Sequence, residues 1–229
     1  MTANSFEVVF RFDGNLADEG ELDGSDHEAA TRASRRLLAL HAHCFLHGKV
    51  PSAAQSEGRA YHVRHVATQK GSHADYWNVV INNAWAIQIA GLIGTAYADE
   101  VKLAINAAAR FLRDSVRSAV GMGSKSLPEI IKIEPVLETW AGNRQPMIDT
   151  DAEHDQLRLH LRQVTIQILH DIARPVGRSA SRLTILIDGH PVVTIDEQMK
   201  REWLQDQIAV AVAALRQEQQ GSSRVRLAP

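Results

Sequence analysis

The run His41-Ala42-His43-Cys44-Phe45-Leu46-His47 gathers imidazoles and a thiol, the side chains zinc favours, and His43 and His47 stand one helical turn apart. Two ligands do not make a site. The others would have to come from His62, His65 or His73, and His62 and His65 fall on opposite faces of an extended segment, so only one of them joins easily. Neither His-Glu-x-x-His nor Cys-x-x-Cys occurs. The expectation is therefore structural: Cys44 and His41 lie on or beside the apolar side of a helix, where a buried thiol and a hydrogen-bonded histidine are ordinary. A metal-dependent hydrolase built on His43 and His47 is the enzymatic alternative.

Arg174, Arg178 and Arg182 form the second constellation. Guanidinium forks grip phosphate or carboxylate in two-point fashion, so the three would serve as a clamp for a small anionic ligand. Their place after a helix C-terminus gives the plainer role of meeting exposed carbonyls. Other suggestive stretches fail for lack of context. Gly121-Met122-Gly123-Ser124-Lys125-Ser126 follows a helix instead of linking a strand to one, and it lacks the Gly-Lys spacing of a phosphate loop. Gly177-Arg178-Ser179 has no second glycine to make a nucleophile elbow. The acidic residues between Asp18 and Glu28 lack calcium-loop spacing, and Arg110, Arg113 and Arg117 have no interleaved aromatics with which to stack bases.

The elements that would hold these groups follow from periodicity. Phe6, Val8, Phe10 and Phe12 alternate as one face of a strand. Ser25 and Glu28 have capping-box spacing, opening a helix to about His47, with Gly48 and Pro51 as its stop. Residues 60–67 and 74–81 form a hairpin. The uncharged window Val79 to Tyr97 begins as the end of that strand and continues as a buried core helix, its amides arguing against a membrane span. An amphipathic helix from Asp99 to about Gly121 buries Val101, Ile105, Ala108, Leu112 and Val116, and a long connection with a short strand near Ile130 to Ile133 follows. Thr150 and Glu153 open another helix, which Pro175 closes. Asp188-Gly189 predicts a type I′ turn between two strands over Leu183 to Ile195, and Asp196 caps a last helix to about Leu215. Paired strands separated by helices predict an α+β fold with a mostly antiparallel sheet, two hairpins plus the N-terminal strand, packed with four or five helices. Residues 1–216 form one domain, and 217–229 a disordered tail.

With 25 basic and 27 acidic residues the chain carries a formal charge of −2, which gives no global case for nucleic acid or an anionic membrane surface. One cysteine excludes an internal disulfide, and the N-terminus lacks a secretory pattern, so the cytoplasm is expected. Phe10-Arg11-Phe12-Asp13-Gly14, the acidic loop ending at Leu22-Asp23 and Arg174-Pro175-Val176-Gly177-Arg178-Ser179-Ala180 before the Asp188-Gly189 hairpin resemble a group of bacterial proteins classed as a domain of unknown function. The resemblance implies a bacterial origin and a setting in mobile elements or phage defence, and no catalytic residues. The expected function is a non-enzymatic interaction or ligand-binding module, homo-oligomeric or bound to a protein partner, without cofactor. The metal-dependent hydrolase and a membrane-active protein using residues 79–97 are the alternatives.

Overall fold

The computed structural model describes residues 5–47, 61–69, 73–81, 97–121, 151–203 and 205. Five strands and three long helices carry the architecture: β1 (Ser5–Asp13), a short 3-10 helix (Asn15–Glu19), α1 (Gly24–His47), β2 (Tyr61–Gln69), β3 (His73–Ile81), α2 (Tyr97–Ala119), α3 (Asp151–Ile172), β4 (Arg182–Ile187) and β5 (His190–Asp196). The strands form one sheet in the order β2-β3-β1-β4-β5, and every neighbouring pair is antiparallel. The α+β class and both hairpins are as the sequence predicts. The N-terminal strand becomes the centre of the sheet because its apolar face is the longest: Phe6, Val8, Phe10 and Phe12 are all buried. Burying a side chain of that size removes enough apolar surface to contribute roughly 1.5–3 kcal/mol each.

The helices pack on one another, α1 lying over β2 and β3, and α2 reaching β1 and β5. Ile105, Ala108, Leu112 and Val116 face inward from α2, while Lys102, Asn106, Arg110 and Arg117 are exposed, the division their spacing predicts. Two chain reversals depend on backbone shape. Asp188 and Gly189 both have positive φ, 49° and 76°, as a type I′ turn requires. Gly14 has φ +81° and its Cα faces Ser181, whose Oγ would overlap any added Cβ.

The start of α1 corrects one expectation. Ser25 lies inside the helix, and Asp23 caps it: its Oδ1 accepts from the Ser25 N–H at 3.0 Å and from the Ser25 hydroxyl at 2.7 Å. A carboxylate competes well with a hydroxyl for this place because its charge also favours the positive end of the helix dipole. These hydrogen bonds hold the Asp23 carboxyl below its usual proton affinity. By contrast, Asp196 accepts from Met199 N–H at 2.8 Å, capping the helix that follows β5 as expected. The helix expected over 82–96, the stop signals Gly48 and Pro51, the cap Thr150, the strand near 130–133, the last helix beyond 205 and the tail 217–229 lie outside the described residues. Among the described residues no helix is long and apolar enough to cross a membrane.

Candidate metal centre

Residues from α1, β2 and β3 converge on one carboxylate. His73, Asp75 and Trp77 alternate along β3, so all three project from its helix-facing side, and each is buried. Asp75 is 1% exposed. On the overlying helix, His27 and Thr31 are four residues apart and share the face above β3. On β2, Tyr61, Val63 and His65 share one face, and simple alternation would turn Thr68 away. A bulge between His65 and Ala67 shifts the register so that His65 stands opposite Trp77 and Thr68 opposite Asp75. The extra residue, Val66, is pushed out and is 57% exposed.

The Asp75 carboxylate accepts hydrogen bonds from Thr68 Oγ1 at 2.7 Å and Thr31 Oγ1 at 3.4 Å. Three imidazoles surround it, with Nε2 of His65 at 3.4 Å, of His27 at 3.5 Å and of His73 at 3.9 Å from its oxygens. The His27 and His73 rings meet edge to face at 4.5 Å between centroids. One ligand-type atom from each of His27, His73 and Asp75 lies within 4.8 Å of the others. The Nε2 atoms of His27 and His73 are buried and make no hydrogen bond.

The tautomer of His73 follows from its other nitrogen. Nδ1 lies 3.5 Å from the Gly20 carbonyl oxygen, an acceptor only, so Nδ1 carries the proton and Nε2 presents its lone pair toward the cluster. This is the arrangement by which metal-bound histidines are commonly oriented. Burial lowers the proton affinity of His73 more than the attraction of Asp75 raises it, so the ring is neutral at neutral pH, the form that binds a metal. Burying the Asp75 charge costs several kcal/mol unless it is compensated; Thr68, Thr31 and His65 hydrogen-bond to it, and a cation beside it would compensate it further. A divalent ion fits that need and the donor set, as two imidazoles and one carboxylate suit zinc or iron and leave coordination positions open. A pocket of about 520 Å³ between α1, β2 and β3 is lined by His27, Thr31, His65 and Trp77 but not by His73 or Asp75, and in it the His65 and Trp77 rings meet at 4.8 Å between centroids, tilted by 55°.

The residues singled out in sequence go elsewhere. His43 is buried in α1 and is not in the His27, His73 and Asp75 group, while the His47 side chain lies outside the described ones. His41 is also buried, donating from Nδ1 to the Leu37 carbonyl at 2.8 Å, with Nε2 3.4 Å from Thr165 Oγ1. Burial pushes its pKa down to about 4. Cys44 is buried beside it in sequence. Of the three arginines, Arg174 Nε and Arg178 Nη1 both meet the buried Asp26 carboxylate, at 2.9 and 3.2 Å, whereas Arg182 Nε meets Asp13 at 3.2 Å. They are thus divided between two carboxylates. Lys200 joins the first group by donating to the carbonyls of Arg174 and Val176, and burial lowers its proton affinity.

The sequence offers His65 and His73 as ligand candidates but gives no reason to single out His27 or Asp75. The signal was the His73-x-Asp75 alternation on a strand, which puts both side chains on one face. No protein-family model matches the chain, and no curated protein matches it in sequence.

Proposed function

We propose that this protein is a metalloprotein that binds a first-row divalent ion, zinc by preference, through His27, His73 and Asp75, and that it acts as a metal-dependent hydrolase. The observation that carries this reading is the convergence of three ligand-type atoms within 4.8 Å, two of them buried imidazole nitrogens without a hydrogen bond. When bound, such an ion polarises a substrate oxygen and makes water a nucleophile near neutral pH. The chain's own residues do the rest. Thr31 and Thr68 hold the Asp75 carboxylate in place, and Gly20 orients His73. His65, 39% exposed in its side chain at the edge of the cluster and 3.4 Å from Asp75, is placed to pass a proton between the pocket and solvent. A hydrolase is favoured over a purely structural ion site because structural sites are closed by four protein ligands, whereas the group found among the described residues offers three, of which His27 lines an open pocket.

Cobalt titration of chelator-stripped protein tests the reading. One equivalent should bind with the visible absorption of a low-coordinate site, and Asp75→Asn and His73→Ala, checked for folding by circular dichroism, should lose it. The loaded protein should hydrolyse activated esters in a chelator-reversible way. Metal-free wild-type protein that takes up neither cobalt nor zinc at micromolar concentrations would sink the proposal.

A further inference from the structure

The three ligands of the metal centre are held by the fold in different ways. His73 and Asp75 stand on β3, which is hydrogen-bonded on one side to β1 and on the other to β2. His27 has no such frame. It lies in the first turn of α1, and Gly20, whose carbonyl orients His73, lies in the connection that leads into that turn. The Asp23 cap bonds to Ser25 within the helix start itself, so it does not dock the turn on the rest of the protein. Asp26 does. It is 2% exposed, and its Oδ1 receives Arg174 Nε at 2.9 Å and Arg178 Nη1 at 3.2 Å. Consecutive helical residues are turned by about 100° around the axis, so Asp26 can be gripped on one side while His27 faces β3.

The loop that does the gripping is itself firmly built. The Arg178 and Ala180 amides both donate to the Pro175 carbonyl, at 3.0 and 3.1 Å, and the Gly177 amide donates to the Ala180 carbonyl at 2.8 Å. Val176 and Ala180 are buried, and Lys200 Nζ ties the loop down by donating to the carbonyls of Arg174 and Val176 at 3.1 and 2.7 Å. The same loop holds the chain ahead of α1, through the Ala17 amide on the Ser179 carbonyl at 3.0 Å and Asn15 Nδ2 on the Arg178 carbonyl at 3.3 Å. The segment that carries Gly20 and delivers His27 is thus pinned to one loop before and after Gly20.

We infer that Asp26 is a positioning residue of the metal centre: gripped by Arg174 and Arg178, it sets the rotation and distance of the first turn of α1 that bring His27 to His73 and Asp75. The inference rests on the metal reading above and adds the residues that keep the ligand set together. Asp26 acts through the backbone it shares with His27. An ion is bound tightly when its ligands already stand at the right separation, because ligands that must first be ordered give up part of the binding energy. Arg174 and Arg178 therefore serve the centre from the far side of α1, and Arg182, paired with Asp13 at the end of β1, does not.

Two measurements test this together: zinc affinity by indicator competition, and proton NMR of metal-free protein at the His27 and His73 rings, whose centroids are 4.5 Å apart. Asp26→Ala should bind zinc about ten-fold more weakly than wild type, the loss typical of removing a group that supports a ligand. Its cross-peaks between the His27 and His73 rings should fade, while those between His73 and Phe12 persist and show that the sheet is intact. Arg178→Gln, which keeps the Arg174 pair, should show both changes in smaller degree, and it carries the test if Asp26→Ala does not fold. Arg182→Gln should leave both readouts as in wild type. Zinc affinity within two-fold of wild type in Asp26→Ala, weaker binding with the ring contact unchanged, or an equal loss in Arg182→Gln overturns the inference and leaves the metal centre standing. Wild-type protein that takes up no zinc overturns the metal reading itself, and this inference with it.

Discussion

The two ends of α1 both carry histidines, and they live in opposite surroundings. Toward the C-terminal end, His41 and His43 are buried with Cys44 among Leu40, Phe45 and Leu46. His41 is satisfied within the helix by the Leu37 carbonyl, and its ring faces Phe111 at 6.0 Å. At the N-terminal end, His27 faces not its own helix but a carboxylate and a second imidazole supplied by β3. The lesson is that a ligand set needs convergence of elements as well as density of ligand types. Four ligand-type residues in one run share a single helix and must diverge around its axis, whereas three residues from a helix and a strand can point at one place.

The largest expected difference between the two ends is in metal affinity. Asp75→Asn keeps the size of the side chain but removes the anionic ligand, and affinity for zinc should fall by at least 100-fold, on the order of 3 kcal/mol. His43→Ala should leave zinc affinity within about two-fold while lowering stability through the lost packing of a buried ring. Competition with a chromogenic zinc indicator measures both. Equal losses in the two variants would erase the proposed distinction between the ends of the helix.

Acid sharpens the same contrast through His41. Its folded pKa of about 4 lies below the ordinary value of 6.5, so between those values the unfolded chain holds the proton and the folded chain does not. The His41 contribution is therefore fully present above pH 6.5 and is lost as pH falls toward 4, a change of about 3 kcal/mol. His73 is lowered in the same direction, so metal-free protein should weaken further on acidification. Urea unfolding of metal-free protein at steps from pH 7 to pH 4.5 should show a clearly flatter pH dependence in His41→Gln than in wild type. Parallel curves would mean that His41 is not the buried neutral group described here.

How much of this was legible in the sequence differs between the fold and the site. The fold was written in local patterns: the Phe6 to Phe12 alternation, the Asp188-Gly189 turn and the three- and four-residue steps of Ile105, Ala108, Leu112 and Val116 each act within a few residues. The site depends on register between elements. His27 is 46 positions from His73 and meets it only because α1 crosses above β3, and no periodicity announces that crossing. The pairing of Arg174 and Arg178 with Asp26, about 150 residues earlier, was hidden in the same way.

The smallest expected effect concerns Thr68, which reaches the site only through the bulge at Val66. Its hydroxyl donates to Asp75 Oδ1 at 2.7 Å, the shortest hydrogen bond given to that carboxylate among the described residues. Removing such a supporting group typically costs 10–100-fold in metal affinity, because the ligand loses its orientation. Thr68 sits on an edge strand and is exposed, and Thr31 still holds the other carboxylate oxygen, so the lower figure applies. Thr68→Val should therefore weaken zinc binding by about ten-fold. Valine keeps the β-branched shape and suits a strand, so the thermal stability of metal-free protein should change by less than about 1 kcal/mol. Thr68→Ser, which restores the hydroxyl, should recover most of the affinity. Loss of affinity in the serine variant as large as in the valine variant would show that the shape of the bulged strand, and not the hydroxyl, holds Asp75 in place.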